Sequence, residues 1–277
     1  MKKKFRSLEL VAKRYLDGFS SGIHPTFLKD SLIEVDVVRE YQPGDKRLDS
    51  KSSLKTGRTM SRVFNPERSL NLFIVLDISS SQYTKLEASI ITALYLCYLG
   101  DMCNERVGLC VFSNQVMNVT DITDDYSSVI GLIEKSFNGL KMNSTTCVED
   151  SIKRVSNLFL TNSLVVFISD FCYPVTDNFL KHIKKIALTP TNAFLNVVVY
   201  NPVDWLMLLN QSFTINFKDA ETGSTGSYNA KSAKTEFDNW SKDLKSKFLR
   251  SSSDVVFLDV KQENFLLPLI KHLMRSQ

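Results

Sequence analysis

The texture of the chain changes near residue 70. Beyond it, runs of strand-forming apolar residues alternate with segments of helical length. The runs predict strands at 71–76, 107–112, 116–119, 164–169, 194–200 and 254–258. Between and after them, helices are predicted at 84–99, 126–137, 147–160, 176–188, 232–249 and 262–275. Strands this uniformly apolar need cover on both faces, the pattern of a parallel sheet between two helical layers. "VGLCVF" and "VMNV" are separated only by Ser113, Asn114 and Gln115. That gap is too short for a crossover, so the pair reads as a hairpin that adds one antiparallel edge strand. The expected architecture is α/β: a doubly wound, mostly parallel six-stranded sheet with helices on both faces. Numbering its strands along the chain, the expected order is 3-2-1-4-5-6.

The first 69 residues read differently. A helix is predicted at 5–17, closed by Gly18. "SSGIHPTFLKD" is a loop, and "SLIEVDVVREY" alternates as a strand before the turn "QPGD". Residues 45–69 are polar and basic, with little periodicity. The division expected is a smaller N-terminal basic segment, 1–69, and a main domain, 70–277, with an insertion at 201–253. "ETGSTGSYNAKS" at 221–232 reads as a Gly/Ser-rich loop, and Pro268 sits inside the last helical stripe.

Composition narrows the class. The hydrophobic fraction of 43% is ordinary for a globular chain of 277 residues. No run approaches the roughly 18 apolar residues of a membrane span. The N-terminal stretch "MKKKFRSLELVAKRYLDG" carries charges throughout and reads as an amphipathic helix, not a signal peptide. Five cysteines, an odd number without C-x-x-C spacing, argue for reduced thiols and a cytoplasmic protein. Cys97 and Cys110 sit in apolar surroundings and are expected in the core. The +4 net charge is uneven: residues 1–69 hold 15 Lys+Arg against 9 Asp+Glu. A solvated basic face accounts for this, with an acidic partner or nucleic acid as the alternative.

The chemistry begins where the strands end. "NLFIVLDISSSQ" runs from buried apolar residues straight into Asp77, with Ser79 and Ser81 at alternate positions. In an open parallel sheet, ligands bind outside the carboxyl ends of the strands. A carboxylate there is costly to desolvate alone. Three hard oxygens at such a spacing suit Mg²⁺ or Mn²⁺. The predicted strand 164–169 ends in "ISDF", which puts Asp170 at a second strand end. "NSTTC" places Thr145 and Thr146 at the start of the next predicted helix. Each aspartate alone also serves as an ordinary helix cap; the combination favours a metal site.

D-x-S-x-S followed by a distant threonine and a distant aspartate resembles the metal-ion-dependent adhesion site of von Willebrand factor A-type domains, which share a Rossmann-type sheet. Upstream, "VREYQPGDKRLDSKSSLKTGR" resembles the R-x-Y-x-x-G-D-x-x-R-x-I-D-W signature of the bacterial family called domain of unknown function 58. "ERVGLCVFS" and "FKDAETGS" at 217–224 resemble two further stretches of that family. The likeness runs from about residue 35 to 260. It implies metal ligation by Asp77, Ser79, Ser81, Thr146 and Asp170, with Thr145 open as the alternative to Thr146. Thr146 is preferred because it leaves Val148 at the apolar position two residues on. The chain departs from the family pattern at Ser50 for the usual Trp, at Gln82 for Met, and at Ser144-Thr145 for a Gly-Gly pair. Arg39, Asp45, Arg47 and Asp49 of the upstream signature are expected to form a salt-bridge cluster that holds the N-terminal segment against the main domain, with partner contact as the alternative. The resemblance further implies a docking surface on which a partner's Asp or Glu completes the shell of the cation. Because family members are commonly encoded beside MoxR-type AAA+ ATPases, it implies such an ATPase as partner in a chaperone-like assembly.

Two other classes are weaker. A metal-dependent phosphohydrolase of the haloacid-dehalogenase type needs a second Asp as general acid where Ser79 stands. The glycine-rich phosphate loops and the G-x-S-x-G elbow are absent, and His24, His182 and His272 lie far from the motif in sequence. Nucleic-acid binding has seven Lys+Arg against three acids at 45–68, but only Phe64 for stacking. The expected function is therefore protein docking, not catalysis.

Overall fold

The structure, a computed structural model, describes residues 2–20, 37–42, 50–63, 70–113, 115–138, 148–158, 161–189, 191–204, 214–218, 225–229 and 233–275. The chain opens with helix α1 (Lys2–Ser20). It runs through Gly18, where a stop was expected; a glycine inside a helix costs only about 1 kcal/mol. Strand β1 (Val37–Glu40) pairs antiparallel with β2 (Met60–Val63), and the short helix α2 (Ser50–Thr56) lies between them. Neither α2 nor β2 is visible in the periodicity of the polar 45–69 stretch.

The main sheet then follows the predicted runs closely. In chain order come β3 (Asn71–Asp77), α3 (Leu86–Met102), β4 (Arg106–Phe112), β5 (Val116–Val119), α4 (Tyr126–Asn138), α5 (Val148–Ser156) and β6 (Ser163–Ser169). After them come α6 (Asp177–Ala187), β7 (Ala193–Tyr200), the hairpin β8 (Thr214–Lys218) and β9 (Thr225–Asn229), α7 (Ala233–Arg250), β10 (Asp254–Asp259) and α8 (Leu267–Arg275). The six-stranded sheet has the order β10-β7-β6-β3-β4-β5, parallel except for the β4–β5 pair. Read from the other edge, this is the expected 3-2-1-4-5-6. Three elements of this part differ from expectation, β8 among them, which no predicted run covers. Part of the Gly/Ser-rich 221–232 stretch is strand β9, because β8 supplies its backbone partners. The last helix starts at Leu267 rather than 262, since Pro268 is tolerated only in a helix's first turn.

Alternation decides what each face holds. Leu72, Ile74 and Leu76 of β3 pack with Leu164, Val166 and Ile168 of β6 toward α1, α3, α4 and α8. Phe73 and Val75 face the other way, with Phe112, Phe167 and residues of α5, α6 and α7. Helix α3 is apolar almost all round because it is covered by α1 as well as by the sheet. Cys97 and Cys110 are buried, as expected. No helix among the described residues is long and apolar enough to cross a membrane.

Candidate metal and docking site

β3 lies between β6 and β4, so its carboxyl end opens at the middle of the sheet. There the fully buried Asp77 has both oxygens occupied. Oδ1 accepts the Ser79 backbone N–H at 2.8 Å, and Oδ2 accepts the Ser169 hydroxyl at 2.6 Å. Burial, and then the negative charge of Asp170, push the Asp77 carboxyl up to about 7 despite these donors. The Asx-type turn at Asp77 leads into a single 3₁₀ turn, Ser80–Gln82. Within it the Ser79 and Ser81 hydroxyl oxygens lie 3.1 Å apart. Gln82 is buried, and its Oε1 accepts the Ser89 hydroxyl of α3 at 3.1 Å, which anchors the turn.

Asp170 follows the last residue of β6. It is 1% exposed, and its Oδ1 accepts the Cys172 N–H at 3.1 Å. Phe171, between them, sits at φ 50, a left-handed conformation costing a bulky residue roughly 1–2 kcal/mol. The conformation lets the Phe171 N–H reach the Ser169 hydroxyl at 3.1 Å while its ring packs 5.5 Å from that of Phe167 and 5.1 Å from that of Phe248. Toward the mouth, the Lys85 ammonium lies 2.8 Å from Asp170 Oδ2 and 3.2 Å from Asp204 Oδ2. Lys85 is 5% exposed. Burial works against its charge, yet Asp170 and then Asp204 hold its pKa above the usual lysine range. The approach to Asp170 Oδ2 is close, though its geometry is not that of a well-aligned hydrogen bond. The Tyr173 hydroxyl is buried near Asp77 and Ser169 without a hydrogen bond of normal geometry.

Four of the five predicted ligands thus lie at the carboxyl edge of two adjacent central strands. Asp77, Ser79 and Ser81 share one turn, and Asp170 is joined to Asp77 through Ser169, which stands beside it in the chain. Thr145 and Thr146 lie outside the described residues, just before α5. Arg39 belongs to β1, opposite Ser61, but its side chain lies outside the described residues, as do Asp45, Arg47 and Asp49. His182 meets Ser156 on the α5–α6 face, His272 pairs with Asp254, and His24 lies outside the described residues. Sequence reasoning missed Ser169, Lys85, Asp204 and Tyr173. Ser169 was detectable as the polar residue ending an apolar strand; nothing local marks Lys85 for burial.

Comparison with known proteins identifies the family and the fold. A family model described as "Protein of unknown function DUF58" matches residues 37–246. The chain belongs to the DUF58 family. The match takes in β1, the central strands and most of α7. Among curated proteins, this DUF58 chain is 38% identical over 73 residues to the uncharacterized protein YeaD of Bacillus subtilis (strain 168). That segment is 26% of this chain and 18% of the relative. Among solved structures, the conserved hypothetical protein BatB from Bacteroides thetaiotaomicron aligns with a TM-score of 0.52 at 15% identity, over 75% of this chain and 98% of that one. An aerotolerance-related membrane protein from Bacteroides fragilis aligns with a TM-score of 0.49 at 16% identity, over 76% of this chain and 100% of that one. The BatB likeness shows a shared fold.

The donor chemistry of this DUF58 site fits a hard divalent cation. Adjacent ligands of an octahedral Mg²⁺ at about 2.0–2.1 Å lie about 2.9 Å apart, close to the Ser79–Ser81 separation. Two neighbouring buried carboxylates, of which Lys85 pairs only with Asp170, are an arrangement that a further cation would relieve. Among the described residues, no cluster of three or more His, Cys, Asp and Glu is grouped to hold a metal. The set here consists instead of two carboxylates and two hydroxyls.

Proposed function

We propose that this DUF58 protein is a metal-dependent protein-docking module of the von Willebrand factor A-like kind, not an enzyme. The observation that carries this is the pairing of Asp77 with the adjacent Ser79 and Ser81 hydroxyls, beside the buried Asp170 of the neighbouring strand. Asp77, Ser79, Ser81, Asp170 and Thr146 would hold Mg²⁺ or Mn²⁺. A bound ion with mostly neutral hydroxyl ligands supplies an electrophilic position for an incoming carboxylate. The protein's own contribution is to fix the hydroxyls on a short anchored turn and to keep water away from the carboxylates. Tyr83, 67% exposed, stands on the rim of this turn, and Val203, 44% exposed, stands beside Asp204; both offer apolar contact around a central charge.

The partner on this reading is a protein that presents an Asp or Glu. The family resemblance points to a MoxR-type AAA+ ATPase, with this protein as its cytoplasmic adaptor in a chaperone-like assembly. Calorimetric titration of Mg²⁺ and Mn²⁺ into chelator-treated protein tests the first step. Wild type should bind one ion, Ser81→Ala more weakly, and Asp77→Ala not at all. Wild-type protein that takes up neither ion sinks the proposal. Capture of the ATPase should then require the ion and vanish in EDTA.

A further inference from the structure

The same site that would take a cation already contains one. The Lys85 ammonium lies among the buried carboxylates, 2.8 Å from Asp170 and 3.2 Å from Asp204. Its backbone is fixed at the start of α3: its N–H donates to the Gln82 carbonyl at 2.8 Å, and its carbonyl accepts the Ser89 N–H at 3.0 Å. Only the side chain is left to move. Asp204, at 30% exposed, lies toward the mouth and is held by the Thr84 hydroxyl at 2.7 Å. One ammonium therefore has two seats, a buried one on Asp170 and an outer one already in place.

Charge makes the arrangement informative. With Asp77 ionised, the carboxylates of Asp77, Asp170 and Asp204 and the one ammonium leave two negative charges, the complement of a divalent ion. Without an ion, Lys85 is the group that keeps Asp170 from being a buried, uncompensated charge, a situation proteins avoid. At 2.8 Å the contact neutralises Asp170, and the same ammonium is shared with Asp204.

We propose that Lys85 is a built-in counter-cation, which holds Asp170 while the site is empty of metal and competes with a divalent ion for that carboxylate, with Asp204 as its alternative seat. This rests on the docking reading above. It makes the fold independent of metal and sets the affinity for metal below what the bare carboxylates would give. It also ties the ion to the mouth of the site, because a lysine displaced toward Asp204 changes the charge a docking partner meets.

The test uses the full chain as wild type, Lys85→Met and Asp204→Asn, with Mg²⁺ and Mn²⁺ titrated by calorimetry and thermal melts run in EDTA and in saturating Mg²⁺. Lys85→Met removes the competitor. It should melt lower than wild type in EDTA, bind Mg²⁺ at least about tenfold more tightly, and recover most of its lost melting temperature when saturated. Asp204→Asn removes the outer seat and should bind Mg²⁺ several-fold more weakly than wild type. If Lys85→Met does not fold in EDTA, Asp204→Asn alone decides, and affinity equal to wild type in that variant overturns the proposal. Ion binding by wild type with equal or weaker binding by Lys85→Met overturns the competition and leaves the docking reading standing. No ion binding by any of the proteins overturns both.

Discussion

Ser169→Ala gives a sharp test of how the two carboxylates are held. The Ser169 hydroxyl donates to Asp77 Oδ2 at 2.6 Å and accepts the Phe171 N–H at 3.1 Å, and the residue is fully buried. A hydrogen bond to a charged group contributes about 1.5–3 kcal/mol, and leaving the Phe171 amide without its acceptor adds about 1 kcal/mol. The substitution should therefore cost about 3 kcal/mol. The same strand carries its own control. Ser163, at the other end of β6, is also buried, but its hydroxyl donates at 2.9 Å to the neutral Thr161 carbonyl. Ser163→Ala should cost about 1 kcal/mol. Urea unfolding in EDTA at pH 8, where most Asp77 is ionised, measures both. At about 2–4 °C per kcal/mol for a domain near this size, Ser169→Ala should melt roughly 6–12 °C lower. A cost no greater than that of Ser163→Ala would refute the argument, because it would mean that the Asp77 carboxylate does not depend on this donor.

Four further outcomes are expected. Gly108→Ala should destabilise by about 1–3 kcal/mol, since an added Cβ would lie 2.5 Å from a ring carbon of the fully buried Phe73. Gly131→Ala on α4, with nothing within 4 Å, should instead stabilise by about 0.5–1 kcal/mol in the same denaturation series. Tyr173→Phe should leave metal-free stability unchanged or slightly raised, because it removes a buried hydroxyl that makes no normal hydrogen bond; a loss above about 1 kcal/mol in the same melts would contradict this. The attachment of α1 should weaken in acid. Glu9 is held below the ordinary glutamate value of 4.5, first by the Tyr98 hydroxyl at 2.6 Å and then by Lys13. Its stabilising effect is present above 4.5 and fades as the pH falls through its lowered folded value. Hydrogen exchange across α1 should rise over that window in wild type and less so in Glu9→Gln.

The sequence by itself determined the sheet. Its central strands are apolar on both faces, so they could form only where helices cover both sides, and their alternation with helices pointed to the doubly wound order. Asp77 and Asp170 were legible for the same reason: each is a charged residue at the end of a run otherwise driven by burial. Ser79 and Ser81 were legible from their spacing to Asp77. What local pattern could not carry was pairing across distance. β2 and β9 lie in polar stretches and exist through backbone partners that periodicity does not reveal. The hydroxyl of Ser169 found Asp77 only because β6 lies parallel beside β3. Lys85 is the clearest case. In the sequence it is an ordinary lysine at the start of a predicted helix, the residue type least expected inside a protein. Tertiary structure buries it because Asp170, 85 residues on, and Asp204, 119 residues on, close over it from the ends of β6 and β7. Burial of a charge depends on the opposite charges brought to it, and no local stretch of chain contains them.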